Sequence, residues 1–509
     1  MIYVSKFAGG SVGEKIIAAD TYLGASPGVI YVDEEGVLYG IAAVDAGRIT
    51  IHPGHVLQFG PGHWTTTGVG TSCAIMLSSN TSVRGAGLNT VLDEPTVGNA
   101  WAIFSVLDYG NVTVKNVHIS DLKIQGTGSH GATSADQTIK LGNLVHGSVE
   151  RVHLERTNAI GVQAGGVSSN TGAVPQLNVI NATNRNPIVV TTSTPHDYET
   201  GEEVTIAGVG GNTAANGKWI VTYVSPTSFS IAVAGNGIYA SGGTAGKNGH
   251  AIDVRIADNS FSQVGFVNIA LTNGKDISIT NNIMRDAGNP ANGNPSFVDV
   301  EPNTGTDWIS DFRITNNTIG GEKDVFFSNG IVVYGNGTAR TPGIISNNTI
   351  RGPIMANGIF LIGSNDILVA NNNIQSTAQT GIWFSGARNS RAVGNILKNV
   401  GGGGIPAMDF TSSVSCEASG NQVSGSTTTI KDAGSTNNAF LNNTGFSFTT
   451  TSASTLIVDR NGIAFANLPT ARNGSEIFCT NCTEGSDPCT GAGRGSRAKR
   501  LNGRWSCRN

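Results

Sequence analysis

The sequence predicts an all-β chain, a single-stranded right-handed parallel β-helix with a short N-terminal capping helix, a small inserted antiparallel β module and a Cys-rich C-terminal module. Three observations predict it. A phrase of the form polar, Asn, any residue, apolar recurs through the second half of the chain; a stretch with a different grammar interrupts it; and four of six cysteines fall in the last 31 residues.

Composition sets the class. Among 509 residues there are 69 Gly, only 16 Pro and 13% charged residues, with abundant Asn, Thr, Ser, Val and Ile, which favours short strands joined by tight turns. A formal net charge of -4 offers no general attraction to nucleic acid or to an anionic membrane. No run approaches the roughly 18 apolar residues of a spanning helix, and MIYVSKFAGGSVGEKIIAAD lacks the basic-then-apolar layout of a secretory signal. The expected setting is extracellular or virion-associated.

The repeat carries the architecture. Its copies are DNSF (258–261), NNIM (281–284), NNTI (316–319), NNTI (347–350), NNNI (371–374), GNIL (394–397) and GNQV (420–423). The second positions, Asn259, Asn282, Asn317, Asn348, Asn372, Asn395 and Asn421, are 23, 35, 31, 24, 23 and 26 residues apart. A base period near 23 suits one turn of a β-solenoid, where each coil gives one strand to each wall. At a bend Asn tolerates a left-handed backbone, and its amide can bond the amide of the Asn one coil away, giving an internal ladder.

The elements then fall in order. Residues 1–29 form a cap in which GEKIIAADTYLG (13–24) reads as an amphipathic helix, with Ile16, Ile17, Tyr22 and Leu23 available to close the end of the core. Residues 30–173 form a first stretch of solenoid, with looser versions of the same grammar in SVRGAG (82–87) and NVTVKNVHISDLKIQGT (111–127). Residues 174–245 are the insert, alternating strands punctuated at TGEE, ANGK and SPTS. It is a rigid spacer, or an accessory binding module using Trp219 and Tyr223. Residues 246–446 resume the solenoid, and 447–509 are a linker and a module with the spacing C-x2-C-x6-C-x17-C. Cys479, Cys482, Cys489 and Cys507 form two disulfides or a tetrathiolate zinc site; an extracellular role favours disulfides.

Aligning the strand before each Asn phrase stacks GFVNIAL, SFVDVEPN, GIVVYGN, GIFLIGS and GIWFSGA (from 265, 296, 330, 358 and 381). Alternation sends Val298, Val300, Ile331, Val333, Ile359, Leu361, Ile382 and Phe384 inward. Two outward columns result: Asn268, Asp299, Val332, Phe360, Trp383, and beside it Ala270, Glu301, Tyr334, Ile362, Ser385. Two carboxylates beside exposed rings are what a polysaccharide site needs, because aromatic faces stack on sugars and carboxylates do acid and base work. Asp299 and Glu301 stand about 6.6 Å apart at ~3.3 Å per residue, near the spacing of inverting glycosidases. Asp324, in GGEKDVFFSNG, is a third candidate acid, and Arg285 a candidate substrate contact. His250, in NGHAIDV, reads as a turn residue, and His52 with His55 has no partner carboxylate in phrase to complete a metal site.

FAGGSVGEKIIAADTYLGASPGVIYVD, followed by coils ending in NNTI phrases, resembles the pectate-lyase and polygalacturonase-like β-helix superfamily, including phage tailspike depolymerases. The resemblance spans roughly residues 5–170 and 246–445. It implies a polysaccharide-degrading enzyme, glycoside hydrolase or lyase, and a homotrimer in the tailspike case; a non-catalytic glycan-binding adhesin or tail component is the alternative. The Asn-Thr-Asp, Asp-Asp, Gly-His-Gly and Arg-Ile-Lys series of polygalacturonases does not occur in this chain, nor do the pectate-lyase signatures, so neither mechanism transfers residue by residue. A lyase would use a base such as Lys275, Arg285 or Lys323, with Ca²⁺ neutralising a uronate; a hydrolase needs no cofactor.

Overall fold

The computed structural model describes residues 1–40, 47–66, 73–95, 102–106, 113–126, 137–157, 160–166, 176–196, 198–247, 249–287, 296–303, 307–320, 329–335, 341–425, 429–449, 455–468 and 470–507. Within them the chain winds as a parallel β-helix. One wall is a sheet of 13 strands running from Ile49–Ile51 to Ser447–Thr449, each paired in parallel with its counterparts in the coils before and after. The register Ile269, Val298, Ile331, Ile359, Ile382, Met408 is continuous across six coils, and all six side chains are fully buried. The other solenoid strands, such as Ser278–Thr280, Phe312–Thr315, Gly343–Ser346 and Ile367–Ala370, form a second parallel sheet around the same core. The inward residues expected from alternation, Val298 through Phe384, are all at 0% exposure.

The asparagine ladder is complete. Nδ2 of Asn259, Asn282, Asn317, Asn348, Asn372 and Asn395 each donates to Oδ1 of the next member at 2.9–3.0 Å, and the same oxygen accepts the backbone N–H of the residue above. Asn421 continues to Asn443, an eighth member whose phrase, NNTG (442–445), lacks the apolar fourth position. The second proton of each amide goes to a carbonyl such as Ile256 O or Ile314 O. The left-handed backbone belongs to the residue before each ladder asparagine, not to the asparagine itself: Asp258, Asn281, Asn316, Asn347, Asn371, Gly394 and Gly420 all have φ between 54° and 65°. One residue turns the chain and the next fills the turn, which is why the phrase needs two small polar positions in succession.

At the N-terminus Val12–Leu23 is helical, capped by the Ser11 hydroxyl, which accepts the Glu14 N–H at 3.0 Å. Ile16 is buried, and Ile17 and Leu23 pack against the core as expected; Tyr22 is 73% exposed and turns away from it. The carboxylate of the buried Asp20 receives His55 Nδ1 at 2.6 Å and also bonds His52, pinning the helix to the first coils. The partner carboxylate for these histidines lies 32 and 35 residues away in sequence, and it makes the pair structural.

The insert is a closed antiparallel barrel of Leu177–Ala182, Ile188–Thr192, Glu203–Ala207, Gly217–Ser225, Ser228–Ile231 and Thr244–Gly246, with its own core around Val190, Val204, Tyr198 and Phe229. It leaves the solenoid register intact, because Ile160–Ala164 pairs directly with Val267–Leu271. A fully buried ion pair, Lys247 with Glu202 at 2.5 Å, is joined by Thr113 Oγ1 at 2.9 Å and fixes the barrel to the solenoid. Trp219 packs on the barrel core and donates Nε1 to Ala215 O, whereas Tyr223 stands at the surface, 47% exposed.

Beyond Thr455–Ile463, Glu476–Cys479 adds one more parallel strand and then pairs antiparallel with Ser496–Leu501, which pairs with Arg504–Ser506. This small sheet is closed by the disulfides Cys479–Cys482 and Cys489–Cys507. A tetrathiolate zinc site would require both bridges reduced. Among the described residues no helix is long and apolar enough to cross a membrane.

Candidate active site

The outer face of the 13-stranded wall carries the candidate residues. Its register aligns Gln163, Ala270, Asp299, Val332, Phe360, Trp383, Asp409 and Lys431 in one outward row. On the N-terminal side Ser105, Lys140 and Gln163 of this row are buried, so that part of the face is covered. The face becomes accessible where Asp299, Phe360 and Trp383 lie, each half-buried. Beside it run Tyr334, Ile362, Ser385 and Thr411. Glu301 keeps step with Tyr334, since Val300 pairs with Val333 and the Glu301 N–H still donates to Leu271 O at 2.9 Å.

Two sequence-based placements are corrected. Asn268 is not in the Asp299 row: Ala270 pairs with Asp299, and Asn268 falls level with Phe297, at 0% exposure, near the corner of the coil. The offset is two residues, because GFVNIAL begins its strand at Val267 while SFVDVEPN begins at Ser296. Arg285 is on Ile283–Arg285, a strand of the other sheet paired with Ser260–Ser262 and Thr318–Ile319, so it cannot reach this face. Lys275 sits on that sheet too, paired with Asp276. Asp324 and Lys323 lie outside the described residues.

Burial shapes the chemistry of the acids. Oδ1 of Asp299 is cut off from solvent and has no hydrogen-bond partner. A carboxylate oxygen shut off from water without a donor disfavours the charged form, so desolvation pushes Asp299 up to about 8, with the Glu301 charge adding to it. Desolvation also raises Glu301. Tyr334 is raised by desolvation and then by the charges of Asp299 and Glu301, which ties the three groups into one electrostatic cluster. At neutral pH Asp299 carries a proton and can donate it.

The aromatic pair has a specific geometry. Phe360 and Trp383 are stacked with centroids 4.2 Å apart and planes 8° from parallel. Each ring therefore gives one face to the other and meets a ligand along the row with its edge, a different arrangement from independent platforms. Nε1 of Trp383 is buried without a partner, as are Asp299 Oδ1 and, on the covered part of the same row, Gln163 Oε1. The row continues into Asp409, whose Oδ2 is 3.0 Å from Nζ of the next member, Lys431, and whose Oδ1 accepts the Thr411 hydroxyl. AMDFTSS (407–413) and the following TIKDAGS repeat the spacing of GIWFSGA, which is the signal that would have extended the row to these residues.

His250 belongs to another place. It is buried against Trp308, ring centroids 5.5 Å apart, and burial followed by the Lys247 charge lowers it to about 3, so it stays neutral.

Residues 304–463 match the family model for a right-handed β-helix region. The chain is a right-handed parallel β-helix. Solved structures share this β-helix fold at 14% identity: the A-module of the Azotobacter vinelandii mannuronan C-5 epimerase AlgE6 covers 89% of this chain and 95% of its own, with a TM-score of 0.51, and that of AlgE4 covers 92% and 100%, with 0.52. DFA-IIIase from Arthrobacter chlorophenolicus A6 in complex with GF2 covers 86% and 93%, with a TM-score of 0.50. At that identity the likeness concerns the β-helix fold. No curated protein matches this β-helix in sequence.

Proposed function

We propose that the chain is a glycan-cleaving hydrolase acting at the Asp299 and Glu301 face. The observation that carries this reading is the desolvated Oδ1 of Asp299, protonated at neutral pH two residues before a second carboxyl, Glu301, just past the end of the strand. In this mechanism Asp299 gives its proton to the glycosidic oxygen as the bond from that oxygen to the anomeric carbon breaks. Glu301 takes a proton from the water whose oxygen forms the new bond to that carbon. With the two Cα atoms about 6.6 Å apart at ~3.3 Å per residue of extended chain, the spacing matches a site with room for that water, and the anomeric configuration inverts. The unpartnered Trp383 N–H and the Asp409–Lys431 pair farther along the row supply hydrogen bonds to sugars bound beyond the cleavage point. The neighbours named for mannuronan epimerisation and for DFA-IIIase activity support a carbohydrate substrate on this scaffold. A Ca²⁺-assisted lyase fits the residues less well, because no three carboxylates converge among the described residues.

The test is product release from a panel of neutral and uronate polysaccharides, read both as new reducing ends and as unsaturated uronate absorbance. Reducing ends without unsaturation support the hydrolase. Unsaturated product makes the chain a lyase, and binding without product makes it a glycan-binding component.

A further inference from the structure

The molecule holds a second concave site, on the inserted barrel, that cleavage at Asp299 does not use. A cavity of about 450 Å³ is lined by Lys115, Pro195, His196, Tyr198, Glu199, Thr200, Tyr223 and Pro226. Its size falls within the roughly 300–1,000 Å³ of small-ligand sites. Its floor is rigid: His196 and Tyr198, both buried, are stacked with centroids 4.8 Å apart, and each packs edge-on against Phe229 of the barrel core. The rim is exposed. Tyr223 stands edge-on to His196 at 6.0 Å, Pro195 and Pro226 present their rings to solvent, and the Thr200 hydroxyl accepts the Tyr223 N–H at 3.0 Å. One side is polar and shared between the two parts of the molecule, because Lys115 of the solenoid strand Val114–Gly126 pairs with Glu199 of the barrel.

We infer that this cavity is an accessory binding site for a neutral sugar unit of the polymer, resting on the proposed glycan-cleaving function. The ligand chemistry follows from the walls. Tyrosine and proline rings offer flat apolar surface to one face of a pyranose or furanose, while the ammonium, carboxylate and hydroxyl at one side bond vicinal hydroxyls. Among the described residues of the site the charged side chains, Lys115 and Glu199, are paired with each other, which favours a neutral sugar over a uronate, a sulfate or a phosphate. A volume near 450 Å³ suits one or two sugar rings, not a long peptide segment. Since the barrel is anchored by the Lys247–Glu202 pair, a polymer held here stays tethered while the solenoid face acts on another part of it.

The experiment uses full-length protein carrying Tyr223→Ala or Tyr223→Phe. Retardation in gels containing inulin, levan, mannan or β-glucan is compared with alginate, polygalacturonate and a proline-rich peptide, alongside turnover of polymer and of a short oligosaccharide. The expected result is retardation by at least one neutral polymer, weakened about tenfold by the loss of one stacking ring in Tyr223→Ala and largely kept in Tyr223→Phe. The polymer KM rises while oligosaccharide turnover is unchanged. Equal retardation of wild type and Tyr223→Ala, or a Tyr223-dependent response only to the anionic polymers or the peptide, overturns the assignment. Loss of turnover everywhere with the Tyr223 effect retained would remove the hydrolase and leave the accessory site standing.

Discussion

The indole of Trp383 lies flat on the ring of Phe360 one coil away, at 4.2 Å and within 8° of parallel. The stack ties two coils together, and Trp383, in the row that contains Asp299, keeps its indole N–H buried without a partner. Trp383→Phe keeps the stack and loses the donor, so its melting temperature should stay near wild type while polymer KM rises several-fold. Trp383→Ala also loses about 0.5–1.5 kcal/mol of ring stacking beyond its area, visible in chemical denaturation. A Trp383→Phe enzyme with unaltered KM would place the glycan off this row.

Asp299→Asn and Glu301→Gln should each lower kcat by at least about a hundredfold, the usual scale for loss of a general acid or base, while circular dichroism is unchanged. Anomeric analysis of the first product by NMR should show inversion. Near-normal turnover in both variants would move the chemistry elsewhere on the solenoid.

The acid must be protonated to act, so kcat/KM should fall on the alkaline side with a midpoint near the Asp299 value of about 8. On the acid side it should fall as Glu301 takes up a proton, above the ordinary glutamate value of about 4.3, because burial raises it. Asp299→Asn cannot serve to test the profile through activity, but stability can. Folded Asp299 holds its proton up to about 8 whereas an unfolded aspartate releases it near ~3.9. Its contribution is therefore full below that lower value and is lost as pH rises through the interval, at up to ~1.4 kcal/mol per pH unit. Asp299→Asn should flatten this slope, so that its melting temperature gains on wild type between pH 5 and pH 8.5.

Asn348→Ala should cost roughly 2–5 kcal/mol. It strips the acceptor from both the Asn317 amide and the Asn317 N–H, and leaves Ile314 O without its donor. The exposed Asn347 beside it, at φ 57°, should accept Gly with little loss, because its task is the left-handed turn. Equal urea midpoints for the two variants would mean that the ladder adds nothing to stability.

Much of this protein was legible in its text, and the physical reason is periodicity. Stacked coils repeat one local problem, so the Asn phrases, the inward positions Val298 to Phe384 and the mutual order of Asp299, Val332, Phe360 and Trp383 followed from spacing and alternation alone. What spacing could not supply was the phase at a coil corner and the environment of an outward side chain. Asn268 slipped two residues into the buried corner, and Arg285 went to the other sheet, because strand starts and bends depend on contacts between coils. The pairing of the four tail cysteines likewise depends on how that module folds. Only the tertiary structure decided that Phe360 and Trp383 use their faces on each other and that Asp299 Oδ1 loses its water, since desolvation is a property of everything packed around an atom and not of the residues beside it in sequence.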